Sequence, residues 1–229
     1  MDDKINRRLR YTKRWFAYFD LLGFANLVRT SEIESVLPIY ETVLETIEEK
    51  ANPKKAKGIG YSWFSDTFIM FSKGSSLEEF SLIEQVARLF FQKLILNKIP
   101  VRGSISYGKL YTQQEKNIFL GEALMDAYEY GENQNWLNFV ITPSAYEALK
   151  NLDFPMEERA HYRLVKENGV IKHPKNKNVF AYAFNNGTVN LQNPLLTSLY
   201  AMKSSSPEAV SDKYENTINF IEQHAWQKP

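Results

Sequence analysis

The sequence has 229 residues, 44% hydrophobic and 24% charged, an ordinary globular composition for one domain with room for a C-terminal extension. It has no cysteine, which excludes disulfides, thiolate zinc sites and cysteine nucleophiles. Its 28 Lys plus Arg against 27 Asp plus Glu leave a net charge of +1, which argues against broad electrostatic binding to nucleic acid or to an anionic membrane. No apolar stretch approaches the ~18 residues of a membrane span, and the N-terminus shows no signal-peptide core, so a soluble, cytoplasmic protein is expected.

Residues 1–14 read as a polar, solvated segment carrying six Lys and Arg against Asp2 and Asp3. The first strand is Trp15 to Phe19, aromatic on both faces and hence buried on both; it runs into Asp20, and Gly23 breaks the regular structure. An apolar stripe from Ile33 to Ile47 predicts a helix, with Pro38 delaying its regular start. After a polar connection at Lys54, Lys55, Lys57 and Gly58, Ile59–Phe64 and Thr67–Phe71 predict a tight hairpin turning at Ser65-Asp66. Ser76 and Glu79 form a capping box that opens a helix over Leu77–Leu96, apolar nearly all round and so the most buried of the domain. Val101–Tyr107 alternates as a strand into a turn at Gly108, and Gly121 starts a helix reaching about Tyr130. A short strand at Phe139–Ile141 and a Thr142-Pro143 helix start follow. Tyr162–Ile171 and Val179–Phe184 predict a final hairpin around the Lys172–Asn178 loop, and Ser206-Pro207 opens a last amphipathic helix with Val210, Tyr214, Ile218, Ile221 and Ala225 on one stripe. The order is α+β: an antiparallel-rich sheet under helices over 15–184, and an extension over 185–229.

Two carboxylates stand out. Asp20 ends an apolar strand in Phe19-Asp20-Leu21-Leu22-Gly23-Phe24, and Asp66 sits at a hairpin tip in Phe64-Ser65-Asp66. A βα-ββ arrangement lays the first strand beside that hairpin, so the two converge. Converging carboxylates without histidine or cysteine suit a hard cation, Mg2+ or Mn2+, held with phosphate oxygens, and Gly23 lets backbone N–H groups approach those phosphates. Aspartate is also a common turn residue, and spacing alone leaves both readings open. His161, His173 and His224 lack ligand spacing.

These residues resemble the class III nucleotidyl cyclases. The two aspartate motifs come in the family's order, followed by Val101-Arg102-Gly103 to Gly108, similar to its basic strand, and by Leu120-Gly121 with Leu124 and Ala127, similar to its dimer-facing helix. Val140 to Leu149 and Val179 to Tyr182 are similar to its next strand and helix and its closing strand. The resemblance implies a ferredoxin-like βαββαβ core and a homodimer with active sites shared between subunits. It also implies two divalent ions, Mn2+ or Mg2+, held by Asp20, Asp66 and the carbonyl of Leu21, with Leu22, Gly23 and Phe24 contacting the phosphates of a nucleoside triphosphate. The reaction implied is in-line attack of the ribose 3′-hydroxyl on the α-phosphorus.

The departures point to a particular branch. The family's base-reading positions fall on Ser62 and Ile118, which match neither purine code. Strand alternation puts Ser62 on the Asp66 face, with Tyr61 and Trp63 behind it. The transition-state asparagine and arginine align with Met125 and Glu129, so a cation for the leaving phosphates has to come from elsewhere, with Arg102 and Lys109 the candidates. This combination resembles the cyclases of bacterial Pycsar antiphage systems, which make cyclic UMP or cyclic CMP for a separate effector. It implies a pyrimidine cyclase, UTP favoured, with no nucleic-acid or membrane partner. Alternatives are a catalytically inactive nucleotide-binding regulatory dimer, or a cyclase for CTP or ATP.

Overall fold

A computed structural model describes residues 11–24, 28–29, 32–51, 58–166, 169–173, 178–184 and 192–224. The basic residues before position 11, the lysines within 54–57 and Ala225 lie outside them. In chain order the elements are β1 (Thr12–Leu21), α1 (Ile33–Ala51), β2 (Gly60–Phe64), β3 (Thr67–Phe71), α2 (Leu77–Leu96), β4 (Val101–Gln113), β5 (Ile118–Gly121), α3 (Glu122–Glu132), β6 (Phe139–Ile141), α4 (Pro143–Lys150), β7 (Tyr162–Leu164), β8 (Phe180–Tyr182), α5 (Gln192–Ser205) and α6 (Ser211–His224). The strands form one sheet in the order β2-β3-β1-β4-β6-β8-β7, with β5 added against the far end of β4. Only β4 with β6 is parallel among the described pairings. This is the antiparallel-rich α+β sheet that the sequence predicts.

β1 lies inside the sheet between β3 and β4, and its two faces differ. Trp15, Ala17, Phe19 and Leu21 point into the main core with the apolar residues of α1 and α2, while Phe16 and Tyr18 point to the other face, under Ala123 and Ala127 of α3. Helices thus cover both sides, which is why the strand is aromatic throughout. On the main face, Phe19 and Phe68 both pack on Phe90 of α2, at ring-centroid distances of 5.0 and 4.2 Å.

The capping box forms as predicted: the Glu79 N–H donates to Ser76 Oγ at 3.3 Å and the Ser76 N–H to Glu79 Oε2 at 3.1 Å. α2 is buried over much of its circumference, and its buried polar groups are paired. Glu84 accepts from Arg88 Nε at 2.5 Å and from the Tyr162 hydroxyl at 2.8 Å, and the Gln92 amide donates to Tyr182 Oη. The hairpin turns where expected, with Ser65 in the left-handed region at φ +56°.

Several expectations are corrected. β1 starts at Thr12 and takes up the end of the predicted polar segment, because Arg14 is buried and its Nη1 donates to Thr112 Oγ1 at 3.0 Å. α1 runs from Ile33 straight through Pro38; the proline forfeits one internal hydrogen bond without ending the helix. Gly108 is mid-strand rather than a turn. A Cβ there would sit 3.0 Å from the Ala123 nitrogen, so the missing side chain serves the close approach of α3 to β4. The arm formed by the end of β4 with β5, and the helix α5, carry no strong sequence signal and were not expected. The last hairpin is short, pairing Tyr162–Leu164 with Phe180–Tyr182, while Ile171 bridges instead to Gln134.

Gly103 lies opposite Phe19 in the centre of the sheet, where a Cβ would come within 2.4 Å of the Phe19 ring and 2.5 Å of the Tyr18 carbonyl oxygen. Gly103→Ala is expected to destabilise the protein by about 2 kcal/mol or more, because a backbone atom cannot move aside as a side chain can. Urea denaturation measures this.

Candidate active site

The antiparallel register of β1 and β3 sets Asp20 opposite Thr67, and the Leu21 N–H donates to the Asp66 carbonyl oxygen at 2.8 Å. The two aspartates are therefore adjacent across one strand pair, at the point where β1 leaves the sheet. Their proximity shows in the acidity of Asp20: burial pushes its carboxyl up, the Glu132 carboxylate adds to that, Arg102 opposes it, and Asp66 raises it further.

Arg102 stands directly across from Asp20 on β4. Its Nε donates to Asp20 Oδ2 at 2.9 Å, its Nη2 pairs with Glu132 Oε2 at 2.5 Å, and its Nη1 donates to the carbonyl oxygens of Glu132 (2.7 Å) and Gln134 (3.3 Å). The Tyr18 hydroxyl donates to Glu132 Oε1 at 2.8 Å; burial first, and then that carboxylate, push the phenol well above its ordinary range. Arg102 thus clamps the Asp20 strand to the C-terminal end of α3. Sequence reasoning missed Glu132. Its signal was there: an acid in the last turn, with no basic residue beside it, opposes the helix dipole and needs a cation from another element.

Beside the turn that follows Asp20 lies a cleft of about 630 Å3, whose lining includes neither aspartate. Leu21, Leu22, Gly23 and Phe24 line one side, Tyr40 of α1 another, and Val210, Lys213 and Tyr214 of the C-terminal extension close it. Gly23 is left-handed at φ +73°, which turns the chain out of β1 toward the cleft. The Leu22 N–H is already committed to the Pro100 carbonyl oxygen at 2.8 Å. Of the three backbone amides expected to meet phosphates, Gly23 and Phe24 are left for that role.

The other expected residues divide. Ser62 shares the Asp20 face, since Tyr61 and Trp63 both pack into the main core. The β4–β5 arm crosses this face: Phe119 lies over Phe71 at 5.5 Å, and Gln114 Nε2 donates to the Tyr61 carbonyl oxygen at 2.9 Å, one residue from Ser62. Ile118 is on that arm, partly exposed opposite Gln113, and no contact found among the described residues joins it to Ser62 or to the aspartates. Lys109 is separated from the site. It lies seven residues along β4 from Arg102, an odd number, so it projects from the opposite face, and it is paired with Lys13 at the other end of β1. Met125 is exposed, Glu129 faces His173 (3.3 Å), and Asp126 is held by Thr142 and Ser144 at 2.7 and 2.6 Å, so none of the three is turned to the aspartates.

The donor set suits a hard cation. Arg102 pairs with Asp20 and Glu132, while Asp66, close enough to Asp20 to raise its pKa, has no ion pair among the described residues. No cluster of three or more His, Cys, Asp or Glu side chains is placed to hold a metal among the described residues, so a cation here completes its shell with backbone oxygen, water or substrate phosphates.

No family model matches the sequence, and no curated protein matches it. Solved structures do. The catalytic core of a rhodopsin-guanylyl cyclase with converted specificity, in complex with ATPαS, superposes with a TM-score of 0.51 at 10% identity, covering 75% of this chain and 96% of that one. The guanylate cyclase domain of RhGC from Catenaria anguillulae, in complex with GTP, gives 0.50 at 11% identity over 75% and 96%. A bacterial light-regulated adenylyl cyclase gives 0.51 at 8% identity, covering 83% of this chain and 57% of that one. The fold is that of the class III cyclase catalytic domain. Within this cyclase fold Asp20, Arg102 and Glu132 form one coupled unit. A double-mutant cycle of Arg102→Met and Glu132→Gln is expected to show a coupling above about 1 kcal/mol in unfolding free energy, with Arg102→Met alone costing about 3 kcal/mol or more by leaving two carboxylates unpaired. Additive effects would show that the pair does not act as a unit.

Proposed function

We propose that this protein is a divalent-metal-dependent nucleotidyl cyclase that converts a pyrimidine nucleoside triphosphate, UTP before CTP, to the 3′,5′-cyclic monophosphate and pyrophosphate. The observation that carries this reading is the side-by-side placement of Asp20 and Asp66 at the end of β1, next to the Gly23 turn, on a fold shared with guanylyl and adenylyl cyclases. Asp20, Asp66 and the Leu21 carbonyl would hold Mg2+ or Mn2+, which when bound neutralises phosphate charge and favours the alkoxide form of the ribose 3′-hydroxyl. The chain itself orients the triphosphate through the amides of Gly23 and Phe24. Arg102 and Glu132 fix the Asp20 carboxylate, so that its orientation does not have to be set during the reaction.

The pyrimidine assignment rests on Ser62, with Ile118 entering only through the resemblance. A neutral hydroxyl on the Asp20 face, backed by Trp63 packed on Tyr40 (4.5 Å) and Phe68 (5.2 Å), offers no charged partner to a purine edge. The resemblance to Pycsar cyclases supports UTP over CTP, and a role as a second-messenger source for a separate effector in the cytoplasm. A homodimer with shared sites is supported by exposed apolar residues on β2, β5 and α3: Phe64 (82% exposed), Leu120 (61%), Met125 (60%) and Tyr128 (52%). A second reading, a catalytically inactive nucleotide-binding dimer, is favoured by Met125 and Glu129, which place no cation where the family has its asparagine and arginine.

Incubation with equal ATP, GTP, CTP and UTP and Mn2+ is expected to yield mainly cyclic UMP plus pyrophosphate. Cyclic AMP or cyclic GMP as the main product overturns the pyrimidine assignment, and nucleotide binding without any cyclic product supports the second reading. Asp20→Ala and Asp66→Ala are each expected to abolish turnover while the fold persists; cyclisation by both variants at low Mn2+ would sink the metal assignment. Light scattering is expected to show a dimer at micromolar concentration, and an active monomer would exclude a shared site.

A further inference from the structure

Lys213 is the second residue missed in the sequence. It lies in the first turn of α6, lines the cleft that Leu22, Gly23 and Phe24 also line, and is half-buried. Its place is set by the residues that follow it. Thr217 Oγ1 accepts from the Leu137 N–H at 2.8 Å, and Asn216 Nδ2 donates to the Asn135 carbonyl oxygen at 2.8 Å. These anchors belong to the segment after α3 whose Glu132 and Gln134 carbonyls take the Arg102 guanidinium. The position of α6 is therefore tied directly to the aspartate cluster.

The lysine has no counter-ion of its own. On the adjoining helix Lys203 pairs with Glu215 at 2.6 Å, but Lys213 enters no ion pair among the described residues. The charged groups it senses are Arg102 and Lys172, which repel it, and Asp20 and Glu132, which attract it. Burial is the largest influence and pushes its ammonium below the ordinary lysine range. A second cation, Lys98, lies at the edge of the same cleft in the left-handed region at φ +59°. A half-buried lysine on an anchored helix, lining the same cleft as Gly23 and Phe24 and entering no ion pair among the described residues, is arranged for an anion that enters from outside.

We propose that Lys213 is a phosphate-recognising residue of the site, its ammonium contacting the polyphosphate of a nucleotide whose reacting end lies at Asp20 and Asp66. This rests on the cyclase reading for the identity of the ligand, and it makes the C-terminal extension part of the site. It also supplies from α6 the positive charge that Met125 and Glu129 do not provide.

The test uses the full chain and inorganic tripolyphosphate, followed by calorimetry without any requirement for turnover. Lys213→Met keeps the aliphatic stem that lines the cleft and removes the charge. Lys203→Met removes the same charge outside the cleft. Wild type and Lys203→Met are expected to bind tripolyphosphate alike, Lys213→Met about tenfold more weakly or worse, and Lys213→Arg between them, with unchanged thermal unfolding throughout. Equal binding by wild type and Lys213→Met, or no binding by wild type, overturns the assignment. Tripolyphosphate binding that depends on Lys213 in a protein that cyclises no nucleotide upholds it and overturns the cyclase reading instead.

Discussion

Strand β1 carries large side chains on both of its faces, and neither face can be left in water. The arrangement of the remaining elements meets that requirement. Trp15 and Phe19 need a thick apolar layer on one side, which α1 and α2 provide, and Phe16 and Tyr18 need a thinner one on the other, which α3 provides. α3 comes close because Gly108 and Gly131 present no side chain toward Ala123 and Tyr18, respectively. A strand held this firmly is a rigid base for whatever stands at its end, and Asp20 stands there.

The electrostatics at that end follow from the packing. Asp20 is the first polar group on the α3 face of β1 after Tyr18, and burial makes its charge costly. Arg102 answers the charge, but it is itself held by Glu132 and by two carbonyls at the end of α3. The arginine therefore acts inside the cluster as a strut and does not project as a free cation. The charge left over is negative beside the aspartates and positive at Lys213 and Lys98 in the cleft. That separation, cation-attracting on one side and anion-attracting on the other, matches the two ends of a metal–polyphosphate ligand.

Solved cyclase domains share this fold at 8–11% identity, so few of the residues that build it need be the same. What such a sheet requires is alternation, apolar cover and glycine at close approaches, all of which many sequences satisfy. The site is subject to tighter demands, because two carboxylates and a glycine turn must meet at one point. A fold-level likeness therefore does not by itself identify the substrate.

Local patterns in the sequence determined the strands around both aspartates, the two-residue turn at Ser65-Asp66, the Ser76–Glu79 cap and the long buried helix, since each rests on neighbours within a few residues. The convergence of Asp20 with Asp66 was also legible, because a hairpin following a βα unit has few places to lie. The strand period further held the information that Lys109 and Arg102 face opposite ways. Tertiary structure alone decided the rest. Glu132 and Lys213 lie 112 and 193 residues along the chain from Asp20, and no local propensity links a helix end or a C-terminal amphipathic helix to a particular carboxylate. The role of Gly108 was hidden for the same reason: a glycine that ends a strand and one that admits a helix read identically until the helix is in place. Local order is encoded between neighbours, whereas the charges of a site are brought together by the burial of distant apolar faces.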